Sequence, residues 1–521
     1  MLLHQKTNSI ILHHDDPFSI RELIPQSRTI DHPDYNVAIK HTDDAVRLLR
    51  NIGINVPLPA TAHYRWPGKY KPFDHERTMV EFYLQNRHRC FNLSEMGTGK
   101  TAATLWAADI LMNQGTVKRA AILAPLSGLE RTWMQDIFDV LMHRRAGIVH
   151  GGREKRVKML AADLDFFIIN HEGVMIEEIF KAISKRQDIN LIVVYEGSFF
   201  RNHDTNKFKY LKAMLRPDQM VWWITGTPCP NAPTDAWAQA KIMCPHRVDQ
   251  FFGAFKRRCM VQMSQFKWAP KAGSEQTAFN ALQPAIRFLK KDCLNLPPVT
   301  HLDMTATLTK VQRDHVRRMK DDMIMSHAGG SISAVNAADK INKMRQILCG
   351  SIKDMATDTY VTIDHKPRLE LLLQAMEQAA AKVIIVVPFK GIIQDLAKEI
   401  QKHYSVAVLN GDVSIGARNR IIQNFKNTAH PHALLCHPQV MSHGLNFTEA
   451  DMMIFYAPIY SNDQFRQVIE RINRAGQIHP MTIVRIGAHP LEWAIYKQVD
   501  NRDITQQSVL KLYETAMSST Y

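Results

Sequence analysis

The sequence has 521 residues, which exceeds one ordinary domain and suffices for two or three domains that each bury a core. Hydrophobic residues make up 45% and charged residues 22%, a balance typical of soluble globular proteins. The 65 Lys and Arg residues outnumber the 50 Asp and Glu residues, giving a formal charge of +15. This excess favours a polyanionic partner, either nucleic acid or an acidic membrane surface.

The sequence also argues against a membrane-spanning protein and a secreted protein. No apolar run approaches the roughly 20 residues that span a bilayer, and the N-terminal MLLHQKTNSI lacks the apolar core of a secretory signal. We therefore expect a cytoplasmic protein with no membrane partner. The seven cysteines are far apart and form no C-x-x-C pair, so we expect reduced structural thiols rather than a zinc or redox site.

Short apolar runs rich in β-branched residues alternate with helical patterns in two parts of the chain. Such runs indicate parallel sheets covered on both faces, so the predicted fold class is α/β with two tandem domains. The predicted strands are Ala120–Leu123, Phe166–Ile169, Leu191–Val194, Val221–Thr225, Ile384–Val387, Val406–Leu409, Ala433–Leu435, Met452–Tyr456 and Thr482–Ile486.

The stretch between the two groups of strands lacks strand character and is rich in basic, amphipathic helical segments. The first sixty residues are mixed, with a predicted helix at Asp44–Asn51. These shifts predict five segments. They are an N-terminal accessory segment (1–60), a first α/β domain (61–245), a helical bridging region (246–365), a second α/β domain (366–500) and a C-terminal tail (501–521).

The strongest chemical signal is S-E-M-G-T-G-K-T at residues 94–101. Glycines at 97 and 99 let backbone N–H groups turn toward a phosphate, and the following helix adds its positive N-terminal end. Lys100 is expected to reach the β- and γ-phosphates, and the Thr101 hydroxyl to bind Mg²⁺. The segment predicts a nucleoside triphosphate site lined by Met96, Gly97, Thr98, Gly99, Lys100 and Thr101.

This segment resembles D-E-M-G-x-G-K-T, motif I of superfamily-two helicases and specifically of the Swi/Snf-type DNA translocases. Ser94 replaces the first glycine of the general phosphate-loop motif. Over roughly residues 70–490 the resemblance implies two RecA-like domains, with ATP and Mg²⁺ held between them and a helical bridging insertion. It also implies a motor that tracks double-stranded DNA, similar to compact bacterial or phage-encoded members.

Further family motifs fall in order along the first domain. K-P-F-D-H-E at residues 71–76 resembles the adenine-reading segment, which makes Phe73 and Glu76 candidate nucleotide-binding residues. Glu76 replaces the usual glutamine, and a carboxylate accepts a hydrogen bond from adenine but cannot donate one. The resemblance places a further set of residues on loops that face nucleic acid or relay between sites: Pro125, Ser127, Asn170, Thr225, Thr227 and, in the second domain, Asn446.

The metal-carboxylate motif departs from the family pattern. Glu196 fits the carboxylate that polarises the attacking water and is, with Thr101, a candidate near Mg²⁺. Tyr195 stands where an aspartate is usual, and a phenol is a poor ligand for a hard cation. Three interpretations stay open: a weakened hydrolase, a hydrolase that uses another carboxylate, and a nucleotide-binding protein that does not turn over.

The second domain carries the last motifs. S-H-G-L-N-F at residues 442–447, with Gly444, resembles motif V, and Q-x-x-E-R-x-N-R-x-G-Q from Gln467 resembles motif VI. Gln467, Arg471 and Arg474 are spaced to share one face of a helix. The family resemblance makes the two arginines catalytic candidates that stabilise charge on the transferred phosphoryl group.

The motifs together predict an ATP hydrolase that moves along nucleic acid, with double-stranded DNA as the favoured partner. A strand-separating helicase acting on DNA or RNA is the first alternative. A nucleotide-gated DNA-binding protein with weak or no hydrolysis is the second, because of Tyr195.

Overall fold

The predicted strands are present in a computed structural model, which describes residues 1–500 except 5, 231, 264–267, 329–333, 354–358, 442–445, 460 and 498. Contacts divide the chain between Leu289 and Lys290 into two units, each containing one parallel sheet. The predicted tail at 501–521 lies outside the described residues. Among the described residues, no helix combines the length and apolar character that crossing a bilayer requires.

The first unit contains thirteen described strands and twelve described α-helices. Its strands are β1 Leu2–His4, β2 Ser9–Leu12, β3 Arg28–His32, β4 Tyr35–Lys40, β5 Arg89–Asn92, β6 Arg119–Ala124, β7 Ala146–Ile148, β8 Phe166–Asn170, β9 Ile189–Tyr195, β10 Met220–Ile224, β11 Met260–Gln262, β12 Trp268–Pro270 and β13 Ala285–Ile286. Its helices are α1 Pro17–Leu23, α2 Asp43–Asn51, α3 Pro59–Ala62, α4 Asp74–Gln85, α5 Lys100–Asn113, α6 Gln135–Val140, α7 Arg153–Ala161, α8 Glu177–Lys185, α9 Asn206–Met214, α10 Ala236–Met243, α11 Phe252–Cys259 and α12 Ser274–Ala281.

The second unit begins with a short helix at the division. Its helices are α13 Lys290–Cys293, α14 Lys310–Ala328, α15 Ala334–Cys349, α16 Lys366–Glu377, α17 Lys390–Gln401, α18 Ile415–Asn427, α19 Pro438–Met441 and α20 Asn462–Ile469. Its strands are β14 Val299–Thr305, β15 Ser351–Lys353, β16 Tyr360–Thr362, β17 Lys382–Val386, β18 Val406–Leu409, β19 Ala433–Cys436, β20 Ala450–Phe455 and β21 Met481–Gly487.

The first unit is built on a seven-stranded parallel sheet with the order β13-β5-β10-β9-β6-β8-β7. Alternate residues of β9 enter two separate cores, Leu191 and Val193 on one face and Ile192 and Val194 on the other. Both faces are therefore covered, as the continuous apolar runs predict. Because the strands are parallel, the loops that follow them meet at one edge of the sheet.

The second unit is built on a six-stranded parallel sheet with the order β14-β21-β20-β17-β19-β18. Ile385 and Ile454 face one core, and Ile384 and Met453 face the other. The two tandem parallel-sheet domains confirm the predicted α/β fold class.

The N-terminal segment forms a four-stranded antiparallel sheet, β1-β2-β4-β3, which the sequence did not predict. The predicted helix is confirmed as α2, capped by the Thr42 hydroxyl, which accepts from the Ala45 N–H. Ile10 and Val37 of the sheet pack in the same core as the first α/β sheet. This segment is therefore built into the first unit through a shared core.

The prediction that the bridging stretch lacks strands is wrong. β13 pairs with β5 at the edge of the first sheet, and β14 pairs along its full length with β21 at the edge of the second. These strands were missed because β13 is two residues long and β14 mixes polar and apolar residues, with most of its side chains exposed. Edge strands lack the continuous apolar run that marks a strand buried on both faces.

Candidate functional site

The phosphate loop runs from the end of β5 to the start of α5. Gly97 has φ 77° and Gly99 has φ 74°, left-handed values that favour glycine. Gly99 is the N-cap of α5, so the N–H groups of the first helical turn point toward the loop. Thr101 lies in the first turn of that helix. Backbone geometry thus supports the anion cradle that the motif predicts.

Lys100 is buried, with 6% of its surface exposed, and its ammonium group is held by the loop itself. Nζ donates to the carbonyl oxygen of Ser94 at 2.7 Å and to that of Glu95 at 2.6 Å. The Thr98 hydroxyl donates to the Glu95 carbonyl at 2.8 Å, which closes the loop around the lysine. The cation is therefore positioned by carbonyl groups five and six residues earlier in the chain.

Glu76 lies against the phosphate loop, where the adenine-reading residue was predicted. Its Oε2 accepts from the Phe73 N–H at 2.8 Å and caps α4, and a β-carbon at Gly99 would overlap its carboxyl group. Burial raises the pKa of Glu76 from an ordinary 4.5 to about 7, partly opposed by the Phe73 hydrogen bond. A protonated Glu76 carries an O–H donor, which the carboxylate considered from sequence lacks.

Aromatic rings surround this end of α4. The half-exposed Phe73 ring stacks on His75, with centroids 5.6 Å apart, and the Phe288 ring lies 5.7 Å from His75. His75 Nε2 lies 3.2 Å from the Thr98 carbonyl oxygen, and burial lowers the pKa of His75. Because a neutral imidazole donates to that carbonyl, His75 joins α4 to the phosphate loop.

Glu196 follows β9 at the same sheet edge. It is buried and has φ 53° and ψ 50°, a left-handed conformation that is unfavourable for a residue with a side chain. Strain of this kind is retained where the surrounding structure fixes the residue. The neighbouring Gly197 leaves no room for a β-carbon beside the Trp223 indole, which fixes the turn from the other side.

Tyr195, the last residue of β9, packs into the core beside Glu196. Its ring meets Trp133 edge-on, with centroids 5.4 Å apart, and its carbonyl oxygen lies 2.8 Å from His171 Nε2. The described part of the chain contains no group of three or more His, Cys, Asp or Glu residues placed to share a metal ion. Thr101, in the first turn of α5, and Glu196, at the same sheet edge, stay the residues predicted near Mg²⁺, an ion that binds through few protein ligands and completes its shell with phosphate and water.

The turn after β10 packs directly on the phosphate loop. A β-carbon at Gly226 would touch the Ser94 carbonyl oxygen at 3.4 Å and the Met96 nitrogen at 3.5 Å. The Thr227 N–H donates to the Thr225 hydroxyl at 3.2 Å, and both threonines are buried. Because β10 lies between β5 and β9, this turn stands between the phosphate loop and the Glu196 turn.

The other nucleic-acid-facing candidates of the first unit follow the next strands of the sheet. Pro125 directly follows β6 and Ser127 lies in the 3-10 turn after it, while Asn170 ends β8. β6 and β8 are neighbours, so these loops lie at the same edge as the Glu196 turn. The sheet therefore brings together all the candidate residues of the first unit at one edge or in the helices next to it.

Motif VI in the second unit is not one continuous helix. Helix α20 ends at Ile469, and turns contain Arg471 and Arg474, so the prediction that both share a helical face with Gln467 is wrong. The Phe447 N–H donates to the Arg471 carbonyl at 2.8 Å, and Gln477 Nε2 donates to the Ala450 carbonyl at 2.8 Å. After Ile469 the short-range backbone hydrogen bonds become irregular, and these long-range hydrogen bonds add further anchors.

Motif V is described only in part. Gly444 lies outside the described residues. Asn446 lies next to Phe447, whose backbone is bonded to motif VI, so motif V and motif VI meet in the second unit. Gln467 is half-buried on α20.

Several supporting residues were missed from sequence because their partners are distant in the chain. The Phe288 N–H donates to the Ser94 hydroxyl at 3.0 Å, and Arg287 donates to the Leu93 carbonyl at 3.0 Å. Trp223 Nε1 donates to Gln239 Oε1 at 3.0 Å. Ser94, which in the sequence marks only a missing glycine, thus fastens the phosphate loop to the segment that follows β13.

Comparison with known proteins identifies two family regions. Residues 75–351 match the family model described as the SNF2-related domain, which is more than half of the chain. Residues 367–476 match the helicase conserved C-terminal domain. The two regions contain most of the motifs described above in the first and second units.

Three proteins similar to this chain come from a phage, a plant and a yeast. Putative protein p41 of Acyrthosiphon pisum secondary endosymbiont phage 1 is 24% identical over 444 residues, covering 80% of this chain and 92% of the phage protein. The ATP-dependent DNA helicase DDM1 of Arabidopsis thaliana is 23% identical, covering 78% of this chain and 57% of its own length. S. cerevisiae Dbp5 bound to RNA and ADP BeF3 shares the tandem RecA-like fold, with a TM-score of 0.50, 14% identity and coverage of 85% and 93%.

The ordered motifs, the tandem parallel sheets and the matching family regions agree. The chain belongs to the SNF2-related family of superfamily-two ATP-dependent helicases and translocases.

Proposed function

We propose that this chain is a DNA-stimulated ATPase that translocates along double-stranded DNA. The observation that carries the proposal is the shared sheet edge of the first unit. There the phosphate loop, the Thr225–Thr227 turn and Glu196 follow three neighbouring strands in succession. This order puts a cradle for phosphate beside a buried carboxylate, which is the arrangement needed to hold a triphosphate and activate a water molecule.

In the proposed reaction, the N–H groups at the start of α5 and Lys100 hold the β- and γ-phosphates. Glu196 accepts a proton from the attacking water, and Arg471 and Arg474 stabilise the charge that develops on the phosphoryl group. Thr101 and Glu196 would hold Mg²⁺, which would supply further charge neutralisation. Glu76 and Phe73 bind the base. We propose that residues of both units act on the same nucleotide in this way.

Duplex DNA is proposed as the track for three reasons. The chain carries an excess of 15 positive charges, the loops after β6 and β8 lie at the same sheet edge as the phosphate loop, and its relative DDM1 is named a DNA helicase. The chain spans 57% of the length of DDM1. The SNF2-type resemblance favours translocation over strand separation.

A triplex-displacement assay tests translocation directly. A third strand bound to a blunt duplex is displaced by a translocating protein without separation of the duplex strands. We expect ATP-dependent displacement by the wild-type chain, none by Lys100→Ala, and no unwinding of a tailed duplex. Unwinding of the tailed duplex without triplex displacement would favour a strand-separating helicase instead.

A second candidate function is a nucleotide-gated DNA-binding protein without hydrolysis. Tyr195 favours it. The Tyr195 ring packs against Trp133 beside Glu196, and its phenol supplies no metal-binding carboxylate. Tyr195→Asp supplies that carboxylate. If hydrolysis appears only in this variant, while wild type binds DNA in a nucleotide-dependent manner, the second function is correct. Substantial turnover by wild type rejects it.

A further inference from the structure

The turns that contain Arg471 and Arg474 depend on anchors from elsewhere in the second unit. Residues 470–476 follow the last turn of α20, and Gly476 has φ 98°, which departs from helical geometry. A helix fixes its side chains through a regular ladder of backbone hydrogen bonds. This segment has only irregular short-range ones, such as that from the Arg471 N–H to the Val468 carbonyl at 3.0 Å, so groups from elsewhere in the unit contribute to its position. The positions of the two guanidinium groups therefore depend on the groups that bind this segment.

Lys290 binds this segment at two points. Its side chain is buried, with 6% of the residue exposed, and its ammonium group forms an ion pair with the Glu470 carboxylate. The same Nζ donates to the Asn473 carbonyl oxygen at 2.7 Å. Glu470 directly precedes Arg471, and Asn473 directly precedes Arg474. One ammonium group thus fixes the residue before each arginine.

The chemistry of a lysine suits this arrangement. An ammonium group has three donors that radiate from one atom, so a single residue can bind a carboxylate and a carbonyl on separate turns. Burial of an ammonium group is costly without a paired charge, and Glu470 supplies that charge. The carboxylate of Glu470 also lowers the net positive charge beside the two arginines.

Lys290 closely follows the residues that anchor the phosphate loop. Arg287 and Phe288 of the first unit bind the loop at Leu93 and Ser94. Phe288 lies two positions before Lys290 in the sequence. The anchor of the loop and the anchor of motif VI therefore belong to one short piece of sequence.

We propose that Lys290 is a positioning residue for ATP hydrolysis, which holds the turns of motif VI so that Arg471 and Arg474 reach the phosphoryl group. This inference rests on the proposed function, since it assigns a catalytic use to the two arginines. In this role Lys290 acts through the arginines and does not contact the nucleotide. A merely structural ion pair would change stability and leave the kinetics of the folded protein unaltered.

The test compares Lys290→Met, Lys290→Arg and the exposed neighbour control Lys291→Met. Each variant is assayed for ATP turnover with saturating duplex DNA and for binding of a non-hydrolysable ATP analogue. We expect Lys290→Met to lower kcat by about 10- to 100-fold, since a misplacement of ~1 Å costs this much. The KM for ATP and the analogue affinity should stay within about twofold, Lys290→Arg should restore part of kcat, and Lys291→Met should match wild type.

A second variant distinguishes loss of positioning from misfolding. Glu470→Gln keeps the size of the side chain and removes the charge partner of Lys290, so it should lower kcat in the same way while the thermal unfolding temperature changes little. Folded Lys290→Met or Glu470→Gln with wild-type kcat would overturn the proposal. A loss confined to unfolding temperature would overturn it as well.

Amide hydrogen exchange separates this inference from the proposed function. Peptides covering residues 467–477 should exchange faster in Lys290→Met than in Lys291→Met, whether or not the chain hydrolyses ATP. A wild-type chain without turnover would refute the proposed function. Unchanged exchange in Lys290→Met would refute the positioning role independently.

Discussion

Lys100 in the first unit is held by groups near it in the sequence. The segment that contains the arginines of motif VI in the second unit is held by a distant residue as well. Lys100 is fixed by carbonyl groups five and six residues away. Arg471 and Arg474 lie on turns whose anchors include Lys290, 183 residues from the Asn473 carbonyl that it binds. A motif can therefore be complete in sequence and still depend on a residue outside it.

Loss of the locally held cation should have the largest effect. Lys100→Ala removes the ammonium group from the phosphate loop, so we expect ATP turnover to fall by at least ~100-fold. The control is Lys118→Ala, which alters an exposed lysine of the same unit and should retain turnover. Steady-state phosphate release measures both. Equal turnover in the two variants would contradict the assignment of Lys100.

Replacing the buried carboxylate at the same edge should have a comparable or smaller effect. Glu196→Gln keeps the shape of the strained turn and removes the proton acceptor, and we expect a fall in kcat of about 100-fold with nucleotide binding retained. Glu172→Gln, on an exposed carboxylate after β8, serves as the control. Retained turnover in Glu196→Gln would favour hydrolysis through another carboxylate.

The raised pKa of Glu76 on α4 can be tested by measuring stability at different pH values. Because the pKa of Glu76 rises to about 7 on folding, folded Glu76 binds more protons than the unfolded chain between about pH 4.5 and 7. Stability is therefore lost as pH rises through this window. Glu76→Gln stays neutral, so its free energy of unfolding relative to wild type should rise by about 2 kcal/mol from pH 5 to pH 8. Urea unfolding measures this change, and exposed Glu154→Gln should show none.

The smallest expected effect concerns Tyr195. Its ring packs against Trp133, and the proposed reaction gives its hydroxyl no part in hydrolysis. Tyr195→Phe keeps the ring and removes the hydroxyl, so kcat should stay within about twofold of wild type. A large loss of turnover in Tyr195→Phe would show that the phenol takes part in the reaction and would reopen its role beside Glu196.

Sequence predicts the contiguous parts of this molecule well. The apolar runs Phe166–Ile169 and Leu191–Val194 predict β8 and β9, because a strand buried on both faces needs an unbroken apolar run. The phosphate loop was predicted because its glycines, lysine and following helix are adjacent in the chain. The parallel order of the strands then brings Glu196 and Thr225 beside that loop.

The parts that sequence does not predict depend on distant partners. The spacing of Arg471 and Arg474 suits a helix, yet α20 ends at Ile469, and the turns after it bind Lys290 and the Phe447 N–H. The role of Ser94 depends on Phe288, 194 residues away. The strands of the N-terminal antiparallel sheet are short and mixed in composition. No local sequence pattern therefore predicts these strands or their pairing.

ATP turnover of the wild-type chain, measured in parallel with double-stranded DNA, single-stranded DNA and RNA, decides whether this chain is a DNA-dependent motor. We predict turnover that double-stranded DNA stimulates most and that Lys100→Ala abolishes. The absence of stimulation by any of the three nucleic acids would contradict the proposed function.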